Sequence, residues 1–197
     1  MAGWSALPTW WVREPGLADF LGGGKAGASI AELKTYIGLT VLADFKTKKV
    51  KTSISDLELL TGLSRPMVIR GIKGLESRGM LNVVRDGHIN HYELIISDTD
   101  DKWGKVPNDA LRLHLPEIIN RGAATLAALK IYILIASLRP NSARDTAIGH
   151  KKIREHTGIQ TRHVRAGLDI LINHGLIHID QDESGGHSKY TMIGLKL

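Results

Sequence analysis

Thr61-Gly62-Leu63-Ser64-Arg65-Pro66-Met67-Val68-Ile69-Arg70-Gly71-Ile72-Lys73-Gly74-Leu75-Glu76-Ser77-Arg78-Gly79 returns later in the chain with its apolar frame intact, as Thr157-Gly158-Ile159-Gln160-Thr161-Arg162-His163-Val164-Arg165-Ala166-Gly167-Leu168-Asp169-Ile170-Leu171-Ile172-Asn173-His174-Gly175. One offset of 96 residues pairs Val68 with Val164, Gly71 with Gly167, Leu75 with Leu171 and Gly79 with Gly175. The same offset holds upstream, where Leu33-Lys34 and Tyr36-Ile37 answer Leu129-Lys130 and Tyr132-Ile133. Further out it drifts as loops allow: Trp4-x-x-Leu7-Pro8 answers Trp103-x-x-Val106-Pro107 at 99, and Tyr92 answers Tyr190 at 98. A whole unit, leading segment included, is duplicated. The boundary is placed near Ser97 to Asp101, an acidic linker, which divides the chain into units of 1–98 and 99–197.

Within the first unit the spacing predicts helix, helix, tight turn, helix, hairpin. Ser29 and Glu32 have capping-box spacing ahead of Ile30, Leu33, Ile37, Val41 and Phe45, which recur with helical period. Ser55 and Glu58 repeat that signal before a short helix stopped by Gly62. Ser64 heads a third helix, with Pro66 in its first turn and Val68, Ile72 and Leu75 on one face. Met80 to Val84 and His91 to Ile96, around Asp86-Gly87, are expected to form a two-stranded hairpin. The second unit repeats this with helices over Leu126 to Leu138, Lys151 to His156 and Thr161 to His174, then strands Leu176 to Asp180 and Lys189 to Ile193 around a loop at Asp182 to Ser188. The expected fold class is mostly α with small β-hairpins, an α+β chain of two tandem winged helix-turn-helix units.

Composition bounds the function. Of 197 residues 43% are hydrophobic, enough to fill real cores, and 26 basic against 20 acidic residues leave a formal charge of +6. Both units are basic, with 12 against 10 in residues 1–98 and 14 against 10 in 99–197. A polyanionic partner follows as the expectation. The absence of cysteine removes disulfides, thiolate nucleophiles and Cys-ligated zinc. The longest apolar stretch, Leu126 to Leu138, is interrupted by Lys130 and falls short of the roughly 20 residues that span a bilayer. Met1 to Trp11 shows no secretory signal, so a cytoplasmic protein without membrane contact is expected.

Two helices across a Gly-containing turn, followed by a hairpin, suit a reader of duplex DNA: the second helix enters the major groove and the hairpin tip lies on the neighbouring backbone. If Val68, Ile72 and Leu75 face inward, then Pro66, Ile69, Arg70, Lys73 and Ser77 face outward, and their counterparts are Arg162, Arg165, Ala166, Asp169 and Asn173. Arg70, Arg162 and Arg165 suit bidentate pairing with guanine, and Lys73 suits a base or a phosphate. Asp169 suits cytosine N4, or orients Arg165 or Arg162. Phosphate contacts are expected from Ser64, Arg65, Gln160 and Thr161 at the helix starts, from Arg85, His88, His187 and Lys189 in the hairpins, and from the run Lys46, Lys48, Lys49 and Lys51 between the first two helices. Because the outward sets differ while the inward sets match, the units are expected to read different base sequences.

Competing signals are weak. His88 with His91, His150 with His156 and His174 with His178 lack a third ligand, and Gly22-Gly23-Gly24-Lys25 lacks the spacing of a phosphate loop. Neither metal, cofactor nor catalytic constellation is expected. Gly71 and Gly167 sit where close helix packing explains them. Trp4, Trp10, Trp11 and Trp103 are expected to anchor each leading segment on its own unit.

The stretch Ile54-Ser55-x-x-Glu58-Leu59-Leu60-Thr61-Gly62-Leu63-Ser64-Arg65, with Val68, Gly71-Ile72, Leu75-Glu76 and Gly79, resembles the winged-helix domains of phage and plasmid replication initiators. The likeness extends to the amino-terminal, origin-binding domain of the phage replication protein O type. The Trp-x-x-Leu-Pro segment and the Tyr36 helix look like the same group, and the second unit looks like a divergent member. The resemblance implies binding to repeated origin sequences and recruitment of helicase or primase. The helix-turn-helix pattern is shared with transcription regulators, which bind an operator and work with RNA polymerase, and winged helices also serve as protein-docking scaffolds.

Overall fold

In a computed structural model, residues 3–12, 16–97, 102–180 and 188–195 are described. The first half opens with strand β1 (Trp4–Pro8), continues through two short 3-10 turns, and enters helix α1 (Ala26–Leu42). α1 starts a turn earlier than its capping pattern implied. The 3-10 turn Gly23–Lys25 runs straight into it, Ser29 lies inside it with its hydroxyl donating to the Leu21 carbonyl, and Glu32 is buried against Arg78. Gly24 and Gly27 disguised this turn, since glycine is a poor helix former. Phe45 falls beyond the helix, half exposed in the turn that follows.

Next comes strand β2 (Lys49–Ser53), in which Val50 and Thr52 are buried and Lys49 and Lys51 point outward. It leads into helix α2 (Ile54–Thr61), whose capping box is Ser53 with Asp56, two residues ahead of the Ser55 and Glu58 pair. Gly62 ends α2 in the left-handed conformation, φ +66°. Helix α3 (Arg65–Ser77) buries Val68, Gly71, Ile72 and Leu75, and a Cβ at Gly71 would collide with Thr35 Oγ1 and the Ala31 carbonyl of α1. Strands β3 (Leu81–Asp86) and β4 (Ile89–Leu94) turn at Gly87-His88, one residue later than expected, with Gly87 at φ +59°. Because β2 pairs with β4, the sheet has three strands in the order β2-β4-β3. The expected two-stranded hairpin is therefore one strand short.

The second half repeats this order. Strand β5 (Trp103–Pro107) and helix α4 (Asn108–His114) precede helix α5 (Ala123–Leu138), strand β6 (Asp145–Ile148), helices α6 (His150–Thr157) and α7 (Thr161–Asn173), and strands β7 (Ile177–Asp180) and β8 (Ser188–Met192). Its sheet runs β6-β8-β7. The chain is thus mixed α+β with small sheets.

The leading strands do not stay with their own halves. β1 pairs antiparallel with β5 in the register Trp4↔Pro107, Ser5↔Val106, Ala6↔Lys105, Leu7↔Gly104, Pro8↔Trp103. Since Trp4 corresponds to Trp103 and Pro8 to Pro107, exchanging the halves returns the same set of pairs. The flanking bonds obey the same rule: Thr9 donates to the Lys102 carbonyl at 2.8 Å, and Asn108, its counterpart, donates to Gly3 at 3.1 Å. This is the signature of a two-fold interface, here within one chain. The axis passes between Ala6 and Lys105, and the Trp4 and Trp103 rings stack across it with centroids 5.6 Å apart and planes 12° apart. These two tryptophans therefore join the halves, correcting their assignment to separate units. Trp10 and Trp11 do stay local, donating to the Ile95 carbonyl and the Tyr36 hydroxyl.

Deeper contacts are reciprocal as well. α1 packs on α5, α2 meets the 3-10 turn Leu115–Glu117, and α6 meets the 3-10 turn Gly16–Asp19. Gly62 closes on the Pro116 backbone while its counterpart Gly158, φ +64°, closes on Ala18. Buried residues of both halves form one contiguous apolar core. Inside it Lys34 donates to the Ile118 carbonyl and to Asn120 Oδ1, both at 2.8 Å, and Asn120 Nδ2 donates to the Gly62 carbonyl at 2.6 Å. Lys130, the counterpart of Lys34, donates to the Thr157 carbonyl at 2.7 Å. The carbonyl-rich ends of α2 and α6 are satisfied in this way. Burial pushes the Lys34 ammonium down to about 7 and that of Lys130 to about 8.

Two outcomes are expected. Gly79 also has a positive φ of +67°, but nothing lies within 4 Å of its missing Cβ. Gly79→Ala should lose about 1 kcal/mol from backbone conformation alone. Gly62→Ala adds overlap with the Pro116 backbone and should lose about 2 kcal/mol more, read as urea midpoints. Equal losses would show that the halves are not locked at Gly62. Secondly, Lys34 and Lys130 lose their proton at lower pH when folded than their ordinary 10.5, so the unfolded chain binds more protons between about 7 and 10.5. Stability should rise with pH across that window, and Lys34→Met should flatten the rise in thermal melts taken between pH 6.5 and 9.5.

Candidate nucleic-acid interface

The outward face expected of α3 is present as one arc. Pro66, Ile69, Arg70, Lys73 and Ser77 are all exposed, and helical geometry puts them within about 100° of one another. Ser64 and Arg65, also exposed, stand at the amino end of the same helix. Ser64 occupies the cap position without a side-chain cap bond, so the first backbone N–H groups of α3 are left open, unlike those of the boxed α2. Arg70 and Lys73 have no acidic partner among the described residues, whereas Arg65 reaches Glu58 at 3.5 Å and the Ser77 hydroxyl donates back to the Lys73 carbonyl.

α7 presents the matching arc with different chemistry. Arg162, Arg165, Asp169 and Asn173 are exposed, and Ala166 is half-buried between them. Gln160 caps α7 without a side-chain bond and Thr161 is exposed beside it, so this amino end is open too. Arg162 Nε lies 3.3 Å from His163 Nε2, and Arg165 has no acidic partner among the described residues. Between α7 and its sheet lies an open groove of about 780 Å³ lined by His150, Thr161, Arg162, Arg165 and Asp169. In the first half the corresponding gap is bridged: Arg85 of β3 donates to Glu76 of α3 at 2.7 Å. The position matching Glu76 is Ile172, which is exposed and apolar. Helix and sheet are thus clasped by an ion pair in one half and parted in the other.

The remaining cations divide into several places. His88 sits exposed in the Gly87-His88 turn, next to Ile89, at the tip of β3 and β4. Lys189 of β8 is held by Asp145 of β6 at 3.1 Å, and His187 lies outside the described residues. The lysine run, expected as a loop, is a turn followed by an edge strand. Lys46 is exposed in a turn nucleated by the Asp44 carboxylate, which accepts from Thr47 and Lys46 N–H groups; the Thr47 bonds hold that carboxyl below its usual range. Lys48, at φ +57°, folds its ammonium over the Phe45 ring and onto the Phe45 carbonyl. Lys49 lies 4.0 Å from Glu93, and Lys51 is exposed in a row with His91 and Val84 across the sheet. β2 lies on the far side of β4 from β3, so these lysines form a patch separate from the outward arc of α3.

Two further cations join the picture. Lys25 and Arg121 share the 96-residue offset, both are exposed, and each stands just ahead of the long helix of its half. Gly22 and Gly23, near Lys25, line a cleft with Gly158, Gln160 and Arg162 at the start of α7. Asn120, next to Arg121, bonds to Gly62 just ahead of α3. Each half therefore places a basic loop beside the amino end of the other half's outward helix. Their shared offset was visible in the chain, but their proximity to α3 and α7 depends on the crossed pairing of β1 and β5.

Among the described residues no group of three or more His, Asp or Glu side chains could hold a metal ion, and no helix is long and apolar enough to cross a membrane. No protein-family model matches the chain, and no curated protein matches it.

Proposed function

We propose that this chain is a sequence-specific binder of double-stranded DNA, built from two winged helix-turn-helix units spanning 1–98 and 99–197, and without catalysis of its own. The observation that carries the reading is the pair α3 and α7. Each is seated by the same buried frame, opens an uncapped amino end to solvent, and presents an exposed basic arc beside a small sheet. On duplex DNA, Arg70, Arg162 and Arg165 address base edges, and Lys73 addresses a base or phosphate. The open N–H groups behind Ser64 and Gln160 face backbone phosphates, with Lys25 and Arg121 flanking them. Asp169 beside Arg165 gives the second unit a preference that the first, with Lys73, cannot share. The two units read unlike segments. In the light of the resemblance to replication initiators, the biological use proposed is binding of origin or repeat sequences of a phage, plasmid or other mobile element in replication control, with helicase or primase as partners.

Selection of bound duplexes from a random pool tests this. Enrichment of a two-part motif, repeated in tandem on the host element, supports it. A single site over a promoter moves the use to transcription, and weak binding indifferent to salt sinks DNA recognition altogether, because phosphate contacts make affinity fall steeply with salt.

Two substitutions separate base reading from phosphate neutralisation. Arg165→Ala should relax preference at one position by about 1 to 3 kcal/mol while leaving random DNA nearly unaffected. Lys25→Ala should weaken specific and random duplexes alike and reduce the slope of log K against log salt by about 0.9. Equal loss on both duplexes for Arg165→Ala would remove its assigned role, and an unchanged slope for Lys25→Ala would remove the loop ahead of α1 from the interface.

A further inference from the structure

The internal two-fold constrains how any duplex can be read. Its evidence is independent of the α3 and α7 surfaces: a ribbon register that returns to itself on exchange of the halves, the paired bonds Thr9 to Lys102 and Asn108 to Gly3, the stacked Trp4 and Trp103, and the reciprocal closures at Gly62 and Gly158. α3 and α7 are tied to this frame in the same manner. Gly71 seats α3 against Ala31 of α1, and Gly167 seats α7 against Ala127 and Ala128 of α5, so the operation that exchanges α1 and α5 also exchanges α3 with α7.

We propose that the DNA recognised carries two half-sites in inverted orientation, one read from each strand, whose base sequences are nevertheless unlike. This rests on the reading of the chain as a duplex binder and goes beyond it. Two helices exchanged by a two-fold can both enter the grooves of one duplex only when that axis coincides with a dyad of the duplex, and such a dyad swaps the strands. α7 therefore meets on one strand the polarity that α3 meets on the other. A head-to-tail arrangement would need the halves related by translation along the duplex, and the self-returning register of β1 and β5 excludes that. The half-site centres lie about 10 base pairs apart or a multiple of that. Backbone symmetry fixes the orientation, while Arg70 and Lys73 against Ala166 and Asp169 keep the two half-sites different.

The test makes the second reader resemble the first. In the full chain, Arg162→Pro, Arg165→Ile, Ala166→Arg, Asp169→Lys and Asn173→Ser are combined, so that every outward position of α7 carries the α3 residue, and native and substituted proteins are each passed through the random-duplex selection. The native chain should enrich two unlike motifs. The substituted chain should enrich a palindrome in which one native motif is kept and the other is replaced by its inverted copy at the same spacing, preferred over the native site by about tenfold or more. A direct repeat, or a change in spacing, overturns the inverted arrangement while leaving DNA binding in place. Enrichment of nothing by the native chain removes the DNA-binding reading itself, and this inference with it. Should the fivefold variant lose its cooperative melt, hydroxyl-radical footprints of the native chain on its own enriched site decide the matter. Protection related by a two-fold across the strands supports the proposal, and protection displaced along the same strand refutes it.

Discussion

The antiparallel pairing of Trp4–Pro8 with Trp103–Pro107 is the constraint on which the relation of the two halves depends. A two-stranded ribbon is marginal in water, so this one must be held from outside. β1 is fastened to α1, where the Tyr36 hydroxyl donates to the Pro8 carbonyl and itself accepts from Trp11. The outer edge of β5 is closed by side chains: Asn141 accepts from the Lys105 N–H and donates to the Trp103 carbonyl, and Arg139 donates to the Lys105 carbonyl. An exposed ladder edge invites pairing with other chains, and these two residues remove the invitation on that side. Indole stacking over Ala6 completes the ribbon's other face with an aromatic seal that Phe45 meets edge-on, its centroid 5.4 Å from Trp4 and 5.6 Å from Trp103.

The parts legible in the sequence are those fixed by local chemistry. Gly62, Gly79, Gly158 and Gly175 all stand at positive φ, and glycine tolerates that conformation without a Cβ penalty, so they mark helix and turn boundaries at the same offset in both halves. Val68 with Val164 and Leu75 with Leu171 stayed alike because buried positions tolerate little change of volume, and their spacing placed the outward arcs correctly by elimination. Gly71 and Gly167, read as packing glycines, occupy close helix crossings.

What the chain concealed is non-local or locally ambiguous. Ser53-x-x-Asp56 and Ser55-x-x-Glu58 both have capping spacing, and only the pairing of β2 up to Ser53 selects the first. Lys-Val-Lys-Thr-Ser alternates correctly for an edge strand but is five residues long and lysine-rich, which made it resemble a solvated loop. The crossing of the leading strands has no local signature at all. The Trp-x-x-Leu-Pro repeat announced that something was duplicated, yet a tryptophan that stacks on its own copy is indistinguishable, in sequence, from one that anchors its own unit. Among the site residues, the outward arcs were therefore legible. Arg85 held by Glu76, Lys189 held by Asp145, and Lys25 and Arg121 lent across the halves were not.

Symmetry in the backbone without symmetry in the side chains has a consequence for specificity. In a homodimer the interface that positions two reading helices also makes them identical, and association costs translational and rotational freedom each time it occurs. Placing both copies in one chain separates these effects. The crossed ribbon and the reciprocal glycine contacts hold α3 and α7 in fixed relation at an effective concentration set by the covalent link. Each surface can then diverge alone. Divergence has already spread from the outward arcs to their surroundings: Glu76 and Arg85 clasp helix to sheet in the first half, whereas Ile172 leaves a groove open in the second. It has also reached the interior, where Tyr36 finds Trp11 and Pro8 but the hydroxyl of its counterpart Tyr132 is buried without a hydrogen-bond partner. Burial pushes both phenols above their ordinary range, so each stays protonated and neutral. The unpartnered Tyr132 sits in α5, the helix that seats α7, and an unpaired buried hydroxyl costs about 1 to 3 kcal/mol. The second half thus carries an unpaired phenol where the first has a paired one, together with the open groove. On the proposed reading, the two outward helices therefore differ in how each is seated against its sheet as well as in the residues each presents to DNA, while the shared ribbon keeps their relation fixed.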